Sequence, residues 1–346
     1  MLRYLTSGES HGKCVLAILE GMPAGLKINV DKINLELKRR QKGYGRGPRM
    51  QIEPDRAEIL SGTRRGITIG SPIALKIDNK DNSIEELPSV SCPRPGHADL
   101  AGCLKYGFDD IRNVLERASA RDTASRSAIG AVCKIFLAEF DIEILSKVIM
   151  IGNETNSAKI KNKIDEAIKK KDTLGGIFEL IAKNVPVGLG SYVQPHRRLD
   201  SKIAAGLISI PGIKAVEFGM GFACASKFGS EVHDAIFFSK QKGFFRKTNN
   251  AGGLEGGISN GEPLVVRCCM KPISTLLNPL PSVDILTKRE TKATVERSDI
   301  CVVEAAGVVA EAVLAFEITS AMLEKFGGDS LKEIKRNFQA FKSSAL

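Results

Sequence analysis

Leu115-Glu-Arg-Ala-Ser-Ala-Arg-Asp-Thr-Ala-Ser-Arg126 carries three arginines at intervals of four and five, with small residues between them. An apolar stripe at helical spacing follows this stretch and is formed by Ile129, Val132, Cys133, Ile135 and Phe136. The two patterns together predict one helix that presents small residues to its neighbours. Its guanidinium groups and hydroxyls suit an anion, because their donors match phosphate oxygens. The alternative is a tightly packed helix with its arginines in water.

Composition indicates a globular protein with a full core. The 346 residues allow one large domain or two ordinary ones, and 43% are hydrophobic against 26% charged,. No signal peptide is recognised at the N-terminus. The longest apolar run, residues 302–326, is interrupted by four glutamates. This pattern predicts a buried or amphipathic helix rather than a membrane span, and we expect a cytoplasmic protein that does not bind a membrane.

The charge balance narrows the class of ligand. The formal net charge is +10, which fits nucleic acid, an acidic membrane surface or small polyanions,. No nucleic-acid module is visible, and aromatic residues make up only 5% with no Trp, so stacking on single strands is disfavoured,. The eight cysteines form no metal-binding pattern and are read as reduced thiols, with no metal expected,. Small phosphorylated ligands are the favoured partners.

Residues 38–49 combine six basic side chains with three glycines. Glycine lets the backbone adopt unusual dihedral angles and approach a ligand closely. The composition predicts a mobile cationic flap that closes over an anion. The alternative is a solvated basic loop.

Two of the four histidines stand among small or rigid residues. His11 follows Ser7-Gly-Glu-Ser10, and His97 lies in Pro93-Arg-Pro-Gly-His-Ala-Asp99, where Asp99 is placed to orient it. Such contexts suit proton transfer near neutral pH, although a turn with an incidental histidine is the alternative for His11. His196 and His233 lie in polar stretches and are read as ordinary.

The C-terminal half adds further candidate ligand contacts. Lys271-Pro-Ile-Ser-Thr275 offers an ammonium and two hydroxyls, and Arg297-Ser-Asp299 precedes the long apolar helix, whose N-terminus favours an anion,. The glycine-rich residues 249–261 fit neither Rossmann nor P-loop spacing. With no repeat and no interdomain linker, we expect a single domain spanning residues 1–346.

Taken in order, these motifs resemble the chorismate synthase family. The matching segments run in the family's order over nearly the whole chain and include Gly8-Glu-Ser-His-Gly12, Gly43-Tyr-Gly-Arg-Gly47, Arg94-Pro-Gly-His-Ala-Asp99, Glu116-Arg-Ala-Ser-Ala-Arg-Asp-Thr123, Pro186-Val-Gly-Leu-Gly190, Lys271-Pro272 and Arg297-Ser-Asp299. Asn250, where many members carry histidine, and Lys42 depart from the pattern. Neither departure touches His11 or His97.

The resemblance implies an α+β fold in which long central helices lie between two largely antiparallel sheets, assembled as a homotetramer. It implies an enzyme that removes phosphate and a C6 proton from 5-enolpyruvylshikimate 3-phosphate to give chorismate. This anti-1,4-elimination requires reduced FMN without net redox change. NADPH is open as the source of electrons for FMN.

The resemblance also implies roles for single residues. His11 would assist the phosphate or substrate side with Ser10 orienting it, while His97 would protonate reduced flavin and Asp299 would relay a proton. The substrate-binding candidates are Arg40, Arg46, Arg49 and Arg121. The cofactor-binding candidates are Arg117, Ala118, Ser119, Pro211, Gly212, Gly256, Lys271, Pro272, Ile273, Ser274, Thr275 and Arg297, with Arg40 and Arg46 matching nicotinamide-nucleotide positions.

Two other functions remain open from the sequence alone. One is a non-catalytic binder of nucleotides or RNA that uses the basic loop. The other is a nicotinamide-dependent flavin reductase, although no Rossmann fingerprint is visible.

Overall fold

The computed structural model describes residues 1–47, 54–241, 243–296 and 298–344. The predictions for Arg49 and Arg297 lie outside these residues. The helices of the described chain are α1 (Val30–Gln41), α2 (Asp99–Tyr106), α3 (Arg112–Leu115), α4 (Asp122–Ala138), α5 (Ser157–Lys170), α6 (Leu199–Ile208), α7 (Gly229–Val232), α8 (Val303–Phe326) and α9 (Leu331–Ser344).

Two four-stranded sheets enclose the long helices. The first sheet has the strand order β1 (Arg3–Ser7), β2 (Cys14–Glu20), β6 (Ile73–Asp78) and β3 (Ala57–Ile59). The second has the order β7 (Glu143–Ile151), β8 (Gly176–Lys183), β14 (Leu264–Met270) and β9 (Ile213–Phe218). All neighbouring strands within both sheets are antiparallel.

The remaining strands form two-stranded ribbons. They are β4 (Thr63–Arg64) with β5 (Ile67–Thr68), β10 (Ile236–Ser239) with β11 (Gly243–Arg246), β12 (Leu254–Glu255) with β13 (Ile258–Ser259), and β15 (Pro281–Val283) with β16 (Glu290–Lys292).

The middle layer is built on α4 and α8, which pack against each other between the sheets. Helix α4 contacts β2 of the first sheet, and α8 contacts β7 and β8 of the second. Strand alternation explains the burial, since Ile73, Leu75 and Ile77 of β6 face the helices,. One buried apolar cluster extends from Leu2 to Phe338. The predicted sandwich of central helices between antiparallel sheets is therefore confirmed.

Helix α8 is the core helix that the sequence predicted. It is the one helix within the described ranges that is long and apolar enough to cross a membrane, by length and composition alone. Of its most apolar 18-residue window, 78% is buried inside the protein. Glu311, in the middle of α8, is fully buried and bonds to Arg39 of α1 and Lys134 of α4.

Two local predictions were wrong. The chain from Leu115 to Phe136 is not one helix, because α3 ends at Leu115 and turns occupy the residues before α4 begins at Asp122. In those turns the Ser119 hydroxyl accepts from the Arg121 N–H at 3.3 Å, which suits a turn better than a helix interior,. Residues 38–41 are not loop either, since they are the last turn of α1.

The closest approach of α4 and α8 occurs at Gly130. A Cβ built there would lie 2.1 Å from Cβ of Ala312. We expect Gly130→Ala to lower the free energy of unfolding by about 1–3 kcal/mol, because overpacking outweighs the gain in helix propensity. Urea unfolding measures this, with Ala138→Ser at the exposed end of α4 as a control that also adds one atom. A Gly130→Ala protein as stable as wild type would show that the helices separate at no cost.

Candidate active site

The turns between α3 and α4 bring Glu116 against His11. Both carboxylate oxygens of Glu116 lie within hydrogen-bond reach of His11 Nδ1, at 3.0 and 2.9 Å. The His11 backbone N–H also donates to Glu116 at 2.9 Å, and the Ser10 N–H donates to the Glu116 carbonyl at 3.1 Å. Nδ1 therefore carries the proton that faces the carboxylate, while Nε2 on the far side of the ring lies 4.0 Å from Asp81,. Glu116 therefore orients the His11 ring, and the role that the resemblance implies for Ser10 stays a prediction.

Glu116 is held as a carboxylate. Its burial favours the neutral acid, but the hydrogen bond and charge of His11, with a smaller contribution from Arg112, lower its pKa below the ordinary value,. Arg112 lies 3.4 Å from Glu116 and 3.0 Å from Glu296. Glu116, Arg112 and Glu296 thus form a chain of alternating charges on the Nδ1 side of the His11 ring.

Arg40 and Arg121 converge on one buried carboxylate, that of Asp55. Arg40 Nη2 donates to one oxygen and Arg121 Nη1 to the other, each at 2.5 Å. Arg40 also donates to the Thr123 hydroxyl at 3.2 Å. Two predicted substrate-binding arginines, one from α1 and one from the turn before α4, are therefore neighbours.

Asn79 connects Arg121 to the loop that holds His11. Its side-chain oxygen accepts from Arg121 Nε at 2.6 Å. Its amide nitrogen donates to the carbonyls of Glu9 and Gly12, at 3.0 and 2.7 Å. The arginine pair and His11 consequently belong to one bonded unit.

Arg46 and Asp299 form the next part of the site. Arg46 Nη1 lies 3.1 Å from Asp299, whose other oxygen accepts from the Gly47 N–H at 2.5 Å. Gly45 accepts from the Ile300 N–H at 2.8 Å, and Tyr44 donates to Asp165 of α5. The described part of the predicted flap, residues 42–47, is therefore bonded to the rest of the protein.

His97 is the centre of a second cluster. Its Nδ1 contacts Asp99, which also accepts from Arg94 Nε at 2.8 Å. Asp99 is almost fully buried, which favours its neutral form, but the hydrogen bonds from His97 and Arg94 lower its pKa far below the ordinary value,. The prediction that Asp99 orients His97 is confirmed by this contact.

The segment Lys271–Thr275 packs on the His97 cluster. Arg94 Nη1 donates to the Thr275 hydroxyl at 2.7 Å, and the Ser274 hydroxyl donates to the Gly96 carbonyl at 2.8 Å. Lys271 donates to Ser274 at 2.6 Å, and its N–H bonds to Gly212 at 2.9 Å. Gly212, Lys271, Ser274 and Thr275 are thus brought together.

Thr173 and Leu174 connect the Lys271–Thr275 segment, which packs on the His97 cluster, to the segment that carries Asp299. The Thr173 hydroxyl donates to the Ile273 carbonyl at 2.8 Å, and the Leu174 N–H donates to the Ile300 carbonyl at 2.9 Å. These bonds place the segment that carries His97's partners beside the segment that carries Asp299.

Some predicted residues are oriented elsewhere. Arg117 is partly exposed and donates to Thr6 and Gly8 at the edge of the first sheet. Gly256 lies in the turn between β12 and β13, whose neighbour Gly257 accepts from the Leu199 N–H. Arg126 donates to Ser209. Arg117 and Arg126 both approach the carboxylate of Asp122, at 3.1 and 3.9 Å, whereas Arg121 points to Asp55.

Several site residues were missed by sequence reasoning. Glu116, Asp55, Asn79 and Arg94 supply the partners that orient the histidines and arginines. Glu116 and Arg94 lie inside motifs that drew attention for other residues. Asp55 and Asn79 stand in polar loops with no local pattern, and only the folded chain brings them to Arg121.

The arrangement can bind an anion and move a proton. Two histidines each have Nδ1 fixed by a buried carboxylate, two arginines share the carboxylate of Asp55, and Arg46 is paired with Asp299,. A solved structure entitled "Crystal Structure of Chorismate Synthase" matches the chain with a TM-score of 0.83 and 43% identity, over 99% of this chain and 98% of that one. Fold and site therefore define a lyase that acts on carbon–oxygen bonds.

Sequence comparisons give the family. The family model for chorismate synthase matches residues 2–323. The chorismate synthase of Thermoanaerobacter pseudethanolicus (strain ATCC 33223 / 39E) is 55% identical over 98% of both chains, and that of Aquifex aeolicus (strain VF5) is 52% identical over 98% of this chain and 97% of its own. The chain belongs to the chorismate synthase family.

The buried carboxylate of Glu116 gives a prediction for pH. Because its pKa is lower in the folded state, its contribution to stability is complete above the unfolded-state pKa of about 4.3 and is lost as pH falls,. The difference in free energy of unfolding between wild type and Glu116→Gln should therefore shrink in acid. Urea titrations at several pH values measure it, with exposed Glu85→Gln as the control. A difference that stays constant from neutral pH into acid would contradict the assignment.

Proposed function

We propose that this protein converts 5-enolpyruvylshikimate 3-phosphate to chorismate by anti-1,4-elimination of phosphate and the C6 proton. The observation that carries the proposal is that His11, fixed at Nδ1 by a buried carboxylate, belongs through Asn79 to the same bonded group as the buried Arg40 and Arg121. Elimination of phosphate needs both a proton-transfer group and fixed positive charge, and this site supplies the two together.

The arginines support the binding of a polyanion. Arg40, Arg46 and Arg121 contribute three positive charges. Asp55 and Asp299 contribute two negative charges, so the five side chains together are net positive. Nε of Arg40 and Nε of Arg46 are buried and have no hydrogen-bond partner among the described residues. Buried donors without partners are costly, so a bound phosphate or carboxylate would stabilise them. Arg49, outside the described residues, is proposed to contact the same substrate.

The histidines are proposed to hold or move protons at Nε2. In both histidines a buried carboxylate contacts Nδ1, and at His97 the Arg94 Nη2 group also lies 3.0 Å from Nδ1,. His11 adjoins Arg121 through Asn79, so we assign it to the phosphate side, where Ser10 belongs to the same loop. His97 adjoins Lys271–Thr275 and is assigned to the cofactor side. Asp299, within reach of Arg46, is the proposed further proton acceptor.

The Lys271 segment fits the phosphate of FMN. Lys271 bonds only to the neutral groups of Ser274 and Pro272 among the described residues. Burial, followed by the charge of nearby Lys214, lowers the pKa of Lys271, which an anion would reverse,. Reduced FMN, when bound, supplies an electron-rich ring that favours the departure of phosphate. NADPH remains the proposed source of its electrons.

The other cofactor contacts are carried as proposals on family resemblance. They are Arg117, Ala118, Ser119, Pro211, Gly212, Gly256, Pro272, Ile273 and Arg297. We also propose that residues 1–346 form a single domain and that the enzyme works in the cytoplasm.

The assembly is proposed to be a homotetramer. The ribbon β10–β11 and its surroundings expose several phenylalanines, which are Phe222, Phe228, Phe238 and Phe244. An exposed group of aromatic side chains is typical of a surface that another chain covers. Sedimentation equilibrium at micromolar concentration should give four copies, and a fully active monomer would contradict the proposal.

The proton-transfer assignment gives the main mutational test. His11→Ala and His97→Ala should each lower turnover by about 10²–10⁴-fold, the usual contribution of a general acid–base group. Turnover is measured anaerobically with reduced FMN. The exposed His196→Ala and His233→Ala proteins are the controls and should keep wild-type turnover. Near-wild-type activity in either test variant would remove that histidine from the mechanism.

The alternative of a non-catalytic nucleotide or RNA binder gains no support from the comparisons, which match enzymes over nearly the whole chain. The part of the basic loop that the structure describes is bonded to neighbouring residues, which also fits an RNA-binding surface poorly. Binding to RNA with a steep dependence on salt would revive that alternative.

A further inference from the structure

Asp55 occupies an unusual position for an acid in a site that binds anions. Its carboxylate lies between two guanidinium groups that are themselves proposed to bind the substrate. The exposed fractions of the Asp55, Arg40 and Arg121 side chains are 1%, 6% and 6%, so water does little to screen their charges,. Asp55 is the one carboxylate that bonds to Arg40 or Arg121 among the described residues.

Without this carboxylate the two arginines would repel each other in a buried environment. Burial lowers the pKa of Arg40; Asp55 opposes this, and the charges of Arg121 and Arg46 add to it. Arg40 donates to Asp55 and Thr123, and Arg121 donates to Asp55, Asn79 and the Asp78 carbonyl, so each guanidinium keeps N–H donors beyond these bonds,. Arg40 Nε is one donor that has no partner within the described chain.

We propose that Asp55 is a positioning residue that acts as a built-in counter-ion. It holds the guanidinium groups of Arg40 and Arg121 together when no substrate is bound, and it limits the net positive charge of the anion site. The substrate anion then binds to groups that are already aligned, and the site does not retain the departing phosphate too tightly. This inference rests on the proposed function, because the anion in question is the substrate.

Asp55 contributes to the alignment of the two arginines but not to their attraction for the substrate anion. In Asp55→Asn the site gains one net positive charge but loses the ionic bridge between the arginines. Attraction for an anion in the ground state is therefore kept, while the alignment needed in the transition state is lost. We expect kcat to fall about 100-fold, the scale of a misplaced catalytic group. KM should change little or fall, and inorganic phosphate should inhibit more strongly than it inhibits wild type.

Formate provides a test that needs no activity. Asp55→Ala leaves a buried space between two cations, and formate can fill it with a carboxylate. Formate should raise the melting temperature of Asp55→Ala, relative to potassium chloride at equal ionic strength, in a saturable manner. It should also recover part of the lost kcat. A residue that only fills space would show neither response.

Asp78→Ala is the matched control. Asp78 lies in the same corner of the structure, but its side chain is mostly exposed and bonds to Lys76 at 2.9 Å. Only its backbone carbonyl, which the substitution keeps, accepts from Arg121. Asp78→Ala should therefore show no formate response. Asp55→Glu, which keeps the charge, should lose less kcat than Asp55→Asn.

The measurements distinguish a failure of the proposed function from a failure of the positioning role of Asp55. A wild-type protein that releases no phosphate from the substrate contradicts the proposed function, and formate would still raise the melting temperature of Asp55→Ala. If wild type is active and Asp55→Asn retains its kcat, the positioning role is wrong. The role is also wrong if formate stabilises Asp55→Ala no more than it stabilises Asp78→Ala. If Asp55→Ala does not fold in chloride, folding in formate supports the proposal and failure in both salts contradicts it.

Discussion

The buried carboxylate of Glu311 is the interaction on which the site depends. It accepts hydrogen bonds from both Nη groups of Arg39, from Nζ of Lys134 and from the N–H and hydroxyl of Ser146. Those partners come from α1, α4 and β7, so one residue of α8 ties the helical layer to the second sheet. Burial favours the neutral form of Glu311, but the hydrogen bonds and charges of Arg39 and Lys134 keep its pKa below the ordinary value,. Because Arg39 is fixed in this way, the last turn of α1 is fixed, and Arg40 next to it points towards Asp55.

The site is assembled from buried carboxylates, each of which contacts a histidine or a pair of arginines. Glu116 stands behind His11, Asp99 behind His97, and Asp55 between two arginines. Removing one member of such a pair leaves a buried charge without compensation, which is far more costly than losing a surface ion pair. The fold therefore specifies orientation at the site through buried carboxylates that bond to its histidines and arginines. This arrangement suits an enzyme that must neutralise a polyanion without reorganising its own groups.

Local patterns explain which parts of the structure were predictable. The alternation of β6 and the apolar run of α8 are determined by short-range periodicity, so their type could be read directly,. The sandwich of helices between two antiparallel sheets was predicted from family resemblance alone, because pairings such as β2 with β6 join distant segments. At the break before α4, Glu116 contacts His11, which is 105 residues away in the sequence, and short-range periodicity gives no sign of such a contact,. Asp55 was missed because its neighbours in the sequence give no sign that folding brings Arg40 and Arg121 to it.

We propose that the histidine and arginine clusters eliminate phosphate with reduced FMN and without net redox change. The most direct measurement is an anaerobic single turnover, in which enzyme with reduced FMN is mixed with 5-enolpyruvylshikimate 3-phosphate. Phosphate and chorismate are then quantified together with the redox state of the flavin. We expect one phosphate for each chorismate, with the FMN still fully reduced at the end. Phosphate release that consumes the reduced flavin, or no release at all, would contradict the account.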